Sequence, residues 1–216
     1  MDVLTIGAAE PERVVLFAAG ASGDPERHRP LIDQLAGHGC RVVAPYFERL
    51  AAREASTAEL LARPLGLVEA LREWAPPDVP VMAVGHSIGG WAALCLAGAT
   101  PWGRDGKPID VPREPRVTRL ALYAPAAAWF QAPGALDDVT APMLVYAGEL
   151  DVVTPVTQIL HLMTAPAQVD VRIVPGAGHF SFMNVPPPGT FENVAFDRGR
   201  FLEQLADATT EFLTAP

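Results

Sequence analysis

Short, nearly uninterrupted apolar runs recur along this chain, each followed by a segment of different periodicity. RVVLFA at 13–18, RVVA at 41–44, VPVMAV at 79–84, VTRLALY at 117–123, MLVYA at 143–147 and VDVRIV at 169–174 are the clearest six. A strand that is apolar along its whole length has both faces buried, so such runs demand a sheet covered on each side. The intervening stretches 26–38, 57–74, 88–99, 155–163 and 193–213 have the length and apolar spacing of crossover helices. The alternation predicts an α/β fold. Its sheet would be mostly parallel, with six strands and a possible seventh at 3–6, and with helices on both faces.

Local signals punctuate that plan. Gly39 closes the first helix, and Ser56 or Thr57 caps the second. Pro64 falls inside the second helix and predicts a break or kink there. Residues 100–115 and 184–190 are rich in Pro and Gly and read as surface excursions. No repeat or composition shift divides the 216 residues, so one domain spanning 1–216 is expected.

Composition excludes several classes of partner. With 50% hydrophobic and 19% charged residues the chain is not disordered. Mean hydropathy is high at +0.19, yet no apolar run approaches the ~20 residues needed to span a bilayer, so no membrane partner is expected. A net charge of −9 without a Lys/Arg cluster argues against nucleic acid. Cys40 and Cys95 are far apart and match no metal or redox spacing, which makes them buried, reduced packing residues. The amino-terminal residues lack a basic stretch followed by a long apolar one, so a cytoplasmic location is expected. Oligomeric state is not readable.

The strongest chemical signal is Gly85-His86-Ser87-Ile88-Gly89, directly after one apolar strand and directly before a helix. A nucleophile on so tight a strand-to-helix turn adopts a strained backbone, and residues two positions to either side must be very small. Two further loops complete a constellation. Asp151 follows the strand MLVYA, and His179 follows VDVRIV. In an open parallel sheet, reactive groups gather beyond the carboxyl ends of the strands, and Ser, Asp, His is the chain order of this arrangement. His179 would take the proton from Ser87 as it attacks, and Asp151 would fix the imidazole tautomer. The developing oxyanion would be met by the N–H of Ile88 and by that of Ala21, with Ser22 as the alternative to Ala21.

These segments resemble the α/β-hydrolase superfamily over nearly the whole chain. Within it, GHSIGG, GELDVVTP and PGAGHF are similar to the dienelactone-hydrolase-like branch and its esterase relatives. The resemblance implies a serine hydrolase acting on a small or medium carboxylic ester through an acyl-enzyme. A thioester or lactone would use the same machinery. Dienelactone hydrolases usually carry a Cys nucleophile where this chain has Ser87, and the His-Gly pair frequent at the oxyanion loop is Ala19-Gly20 here. A lyase, a perhydrolase or a ligand-binding receptor is the alternative use of the fold.

Residues 125–140 are too few for a large cap, so an open site is expected, with Trp129, Phe180 and Phe182 as walls for an apolar group. His86 reads as structural, and His28, His38 and His161 as ordinary packing or surface residues. Asp138 is the one rival to Asp151 as triad acid. No metal spacing occurs, and the turn GASGD at 20–24 lacks the lysine of a phosphate loop, so no cofactor is expected.

Overall fold

The computed structural model describes residues 1–51, 54–190 and 193–215. Seven strands form one sheet: β1 (Val3–Gly7), β2 (Arg13–Ala18), β3 (Cys40–Pro45), β4 (Val81–His86), β5 (Val117–Tyr123), β6 (Met143–Gly148) and β7 (Val169–Val174). Their spatial order is β1-β3-β2-β4-β5-β6-β7. Only β1 runs antiparallel, pairing Val3 with Pro45 and Gly7 with Arg41 on β3. The helices are α1 (Arg29–Gly37), α2 (Thr57–Trp74), α3 (Ile88–Leu96), α4 (Val156–Leu160) and α5 (Arg198–Thr214).

Alternation along each strand splits the interior into two cores. On one face Val14, Leu16, Val43 and Ala83 meet Leu60, Leu67 and Leu71 of α2 and Trp91 and Leu94 of α3. On the other, Val15, Phe17, Val42 and Val84 meet Leu31, Ile32 and Leu35 of α1 and Leu205 of α5. β4 is buried throughout, as the central strand should be. At the β7 edge the pattern changes, with three of six residues exposed. Cys40 and Cys95 are buried free thiols, and burial pushes both pKa values up.

Several boundaries differ from the sequence expectation for identifiable reasons. The 26–38 segment divides into a 3-10 turn, Pro25–His28, and α1, because Pro30 at the start of α1 has no N–H to continue a preceding helix. The Pro64 break does not occur. Helix α2 runs through it, since a lone missing N–H is outweighed by the buried face of Leu60, Leu67, Ala70 and Leu71. Helix α3 stops at Leu96 ahead of Gly98, which takes φ +112. The 155–163 segment splits into α4 and a 3-10 turn, His161–Thr164. Helix α5 begins at Arg198, where the Asp197 side chain caps it by accepting from the Arg200 N–H. Among the described residues no helix is long and apolar enough to cross a membrane.

The β5–β6 connection contains one 3-10 turn, Ala127–Phe130, and no cap domain. The loops that follow β2, β4, β6 and β7 therefore open at one end of the sheet, with no cap domain among the described residues.

Helix α2 owes its start to a capping box. Ser56 Oγ accepts from the Glu59 N–H at 3.3 Å, and the Glu59 carboxylate accepts from the Ser56 N–H at 2.8 Å. Ser56→Ala should cost about 1 kcal/mol of stability in urea unfolding. An unchanged midpoint would show that packing alone holds that end of the helix.

Candidate active site

Ser87 sits between β4 and α3 at φ 56, ψ −121, a backbone that L side chains rarely adopt. The glycines around it are required by space. A Cβ on Gly89 would lie 2.0 Å from the Ala18 carbonyl oxygen, and one on Gly85 would lie 2.7 Å from the Gly89 carbonyl. The turn is pinned from the end of β5 and the loop after it: the Ser87 N–H donates to the Tyr123 carbonyl at 2.9 Å, and the Ser87 carbonyl accepts from the Ala126 N–H at 3.0 Å.

The structure brings Ser87, His179 and Asp151 into one chain of hydrogen bonds. Ser87 Oγ lies 2.9 Å from His179 Nε2, and His179 Nδ1 lies 2.8 Å from Asp151 Oδ2. Asp151 is 5% exposed and His179 is 6% exposed. Burial opposes the ionisation of Asp151, but hydrogen bonds from His179 and Thr154 outweigh it and hold the carboxyl below its usual range. An ionised carboxylate only accepts, so Nδ1 of His179 carries the proton and Nε2 is free to accept from the Ser87 hydroxyl.

The loops carrying Asp151 and His179 are locked together. A Cβ on Gly148 would come 2.6 Å from the Ala177 carbonyl, and the Leu150 N–H donates to that carbonyl at 2.9 Å. Behind the imidazole, His86 Nε2 donates to the His179 carbonyl at 3.0 Å. His86 is therefore structural, as its position in the turn implied, and it has a specific task in holding the His179 loop.

Thr154 was not singled out by its sequence context. It is 4% exposed, and its N–H donates to Asp151 Oδ1 at 2.8 Å while its hydroxyl donates to Oδ2 at 2.7 Å. That hydroxyl also lies 3.1 Å from the carbonyl of Ala124, a non-glycine residue at φ 44. The signal available in the sequence was an Asp followed by Thr three positions later, the spacing at which an Asp side chain caps its own turn.

The candidate oxyanion donors lie in the helix start and the loop next to the nucleophile. Ile88 opens α3, and Ala21 lies half-buried in the loop after β2. Among the described residues neither N–H donates to a backbone carbonyl. The loop abuts the nucleophile at Gly20, where a Cβ would lie 3.5 Å from that of Ser87.

The aromatic residues divide. Phe180 is half-buried and edge-on to His179 at 5.1 Å between ring centres, and half-buried Trp129 packs edge-on against Trp91 at 6.3 Å. Phe182 is not a wall of an open site. It is 1% exposed and stacks on Tyr123 within the second core, supporting His86 from below. Asp138 is paired with Arg113 at 2.8 Å on the surface, away from His179. His38 and His161 bond to the carbonyls of Gln34 and Phe130. His28 is fully buried, with its ring 5.3 Å from His86, whose ring is 5.1 Å from His179. Among the described residues no cluster of His, Cys, Asp and Glu could hold a metal ion.

No protein-family model and no curated protein sequence matches the chain. Solved structures do match its fold. An esterase from the planctomycete Thermogutta terrifontis, in a propionate-bound form, superposes with a TM-score of 0.69 at 18% identity, over 99% of this chain and 90% of that one. Esterase 2 of the same organism phosphonylated by cyclosarin matches with a TM-score of 0.67 at 17% identity, over 99% and 90%. Its form phosphorylated by paraoxon gives 0.65 at 18%, over 100% and 92%. The chain thus has the α/β-hydrolase fold.

Two buried histidines make stability depend on pH. Burial lowers the pKa of His28 to about 4, and burial followed by the neighbouring His179 and His28 lowers that of His86 well below its ordinary value. Both are neutral in the folded protein and protonate near pH 6.5 once unfolded, so the unfolded state takes up more protons below that pH. Stability should therefore fall as pH drops from about 6.5 towards 4, by roughly 1.4 kcal/mol per pH unit for each histidine. Urea midpoints of the wild type and His28→Gln across this range test it, the variant showing the shallower dependence. Parallel curves would mean that His28 is charged in the folded state.

Proposed function

We propose that the protein is a serine hydrolase that cleaves a small or medium carboxylic ester through an acyl-enzyme. The observation that carries this reading is the unbroken hydrogen-bonded line from Ser87 Oγ through His179 to Asp151, with contacts of 2.9 and 2.8 Å. Ser87 Oγ attacks the acyl carbon while His179 Nε2 takes its proton. The alcohol leaves with that proton, and the acyl group remains as an ester on Ser87. Water then attacks, losing a proton to Nε2, and the carboxylic acid departs as Ser87 Oγ regains its proton.

Asp151 stabilises the imidazolium formed in each half, and the Ile88 and Ala21 N–H groups receive the oxyanion. Trp129 and Phe180 flank the acyl or alcohol group. The fold neighbours support an ester substrate, since they are esterases described with propionate bound and phosphorylated by paraoxon. A serine nucleophile favours this over the lactone chemistry of the dienelactone-hydrolase-like branch. The absence of a cap over the β5–β6 connection favours short substrates approaching from solvent. The reading places the enzyme in the cytoplasm, in keeping with its two buried free thiols.

Stopped-flow hydrolysis of p-nitrophenyl butyrate by the wild type and by Ser87→Ala tests the proposal. The wild type should release a burst of p-nitrophenol followed by steady turnover. The variant should lose the burst and roughly a thousandfold or more of the rate. Equal release by the two folded proteins would move the weight to a lyase or binding role.

A further inference from the structure

Arg63 projects from α2 and is only 2% exposed. Buried arginines ordinarily face a carboxylate. Here the guanidinium meets carbonyls instead: Nη1 donates to Ala19 at 3.2 Å, and Nη2 donates to Ala21 at 3.3 Å and to Glu48 at 3.5 Å. It also lies over the Phe47 ring, 5.1 Å from the centroid. Burial lowers its pKa to about 10, which leaves it a cation at neutral pH.

The loop it grips is the one against Ser87. Three consecutive carbonyls are held there: those of Ala19 and Ala21 by Arg63, and that of Gly20 by the Gly23 N–H at 2.9 Å. The Ala21 carbonyl also accepts from Leu50 at 2.8 Å. A peptide unit is planar, and its N–H points opposite its carbonyl. Fixing these carbonyls therefore fixes the N–H directions of Gly20, Ala21 and Ser22.

We propose that Arg63 is a positioning residue for the oxyanion loop, tying it to α2 so that its amides face the acyl oxygen and placing positive charge behind them. The kinetic consequence rests on the ester-hydrolase reading; the mechanical one does not. A donor aimed before the reaction needs no reorganisation as charge develops, so its loss is felt in the transition state more than in substrate binding.

Arg63→Met keeps length and packing while removing the charge. Arg63→Lys keeps the charge but replaces a two-armed fork with a single head. For each variant, circular dichroism establishes folding, amide hydrogen exchange over residues 18–24 reads the loop, and p-nitrophenyl butyrate gives kcat and KM. Exchange over the loop should quicken roughly tenfold in both variants. The kcat should fall roughly 10- to 100-fold in Arg63→Met and less in Arg63→Lys, with KM within about twofold. Unchanged loop exchange, or unchanged kcat in a folded variant, overturns the proposal, and the same two readouts on Arg63→Lys decide it if Arg63→Met does not fold. If the wild type shows no Ser87-dependent turnover, the ester reading fails and loop exchange alone decides whether Arg63 holds the loop.

Discussion

The close contact between Gly89 and the end of β2 is the constraint on which the site depends. With the Ala18 carbonyl in the space a Cβ on Gly89 would occupy, helix α3 can leave β4 only by a turn that forces Ser87 to φ 56. Such a backbone costs about 1–3 kcal/mol and persists only where its surroundings over-determine it. The surroundings do so here. Every residue of α3 is buried, and backbone bonds to Tyr123 and Ala126 clamp Ser87 from the end of β5 and the loop after it. The strain lifts the Ser87 side chain clear of the sheet, within reach of the loops after β6 and β7.

Polar groups are then arranged around that hydroxyl by burial and directed hydrogen bonds. Asp151 accepts from the N–H groups of Val153 and Thr154 and from the Thr154 hydroxyl, so its charge is satisfied without water. His179 is held at its ring by Asp151 and at its carbonyl by His86. The charge is asymmetric. Cationic Arg63 lies under the loop after β2, while His86 and His28, in tilted ring contact behind His179, stay neutral. Protonating His86 would place a positive charge beside the His179 imidazole, so a neutral His86 keeps the field there low.

The sheet and its helices were legible in the sequence because strands buried on both faces leave continuous apolar runs, as in VPVMAV and MLVYA. Ser87, Asp151 and His179 were legible as candidates because each follows such a run, and the turn around Ser87 needs its glycines. Other features were hidden for physical reasons. Phe182 looked like a pocket wall because it neighbours His179, but Ser181, Phe182 and Met183 are all buried, and Phe182 packs on Tyr123 in the core; the distinction lies in tertiary packing. Arg63 acts on the carbonyls of Ala19 and Ala21, 44 and 42 positions away, and no local pattern encodes such contacts, whereas Thr154 stands three positions after the Asp151 it bonds, a spacing too common to single it out. Pro64 promised a break that the apolar face of α2 overrode.

The central claim is that Ser87 is a nucleophile activated by His179 and Asp151. Treatment with paraoxon followed by intact-mass analysis and peptide mapping tests it most directly, since the reagent transfers a diethylphosphoryl group fastest to an activated hydroxyl as 4-nitrophenolate leaves. The account predicts one such group per chain, on the peptide containing Ser87, with none on Ser87→Ala. An unmodified wild-type chain, or modification at another residue alone, would contradict it.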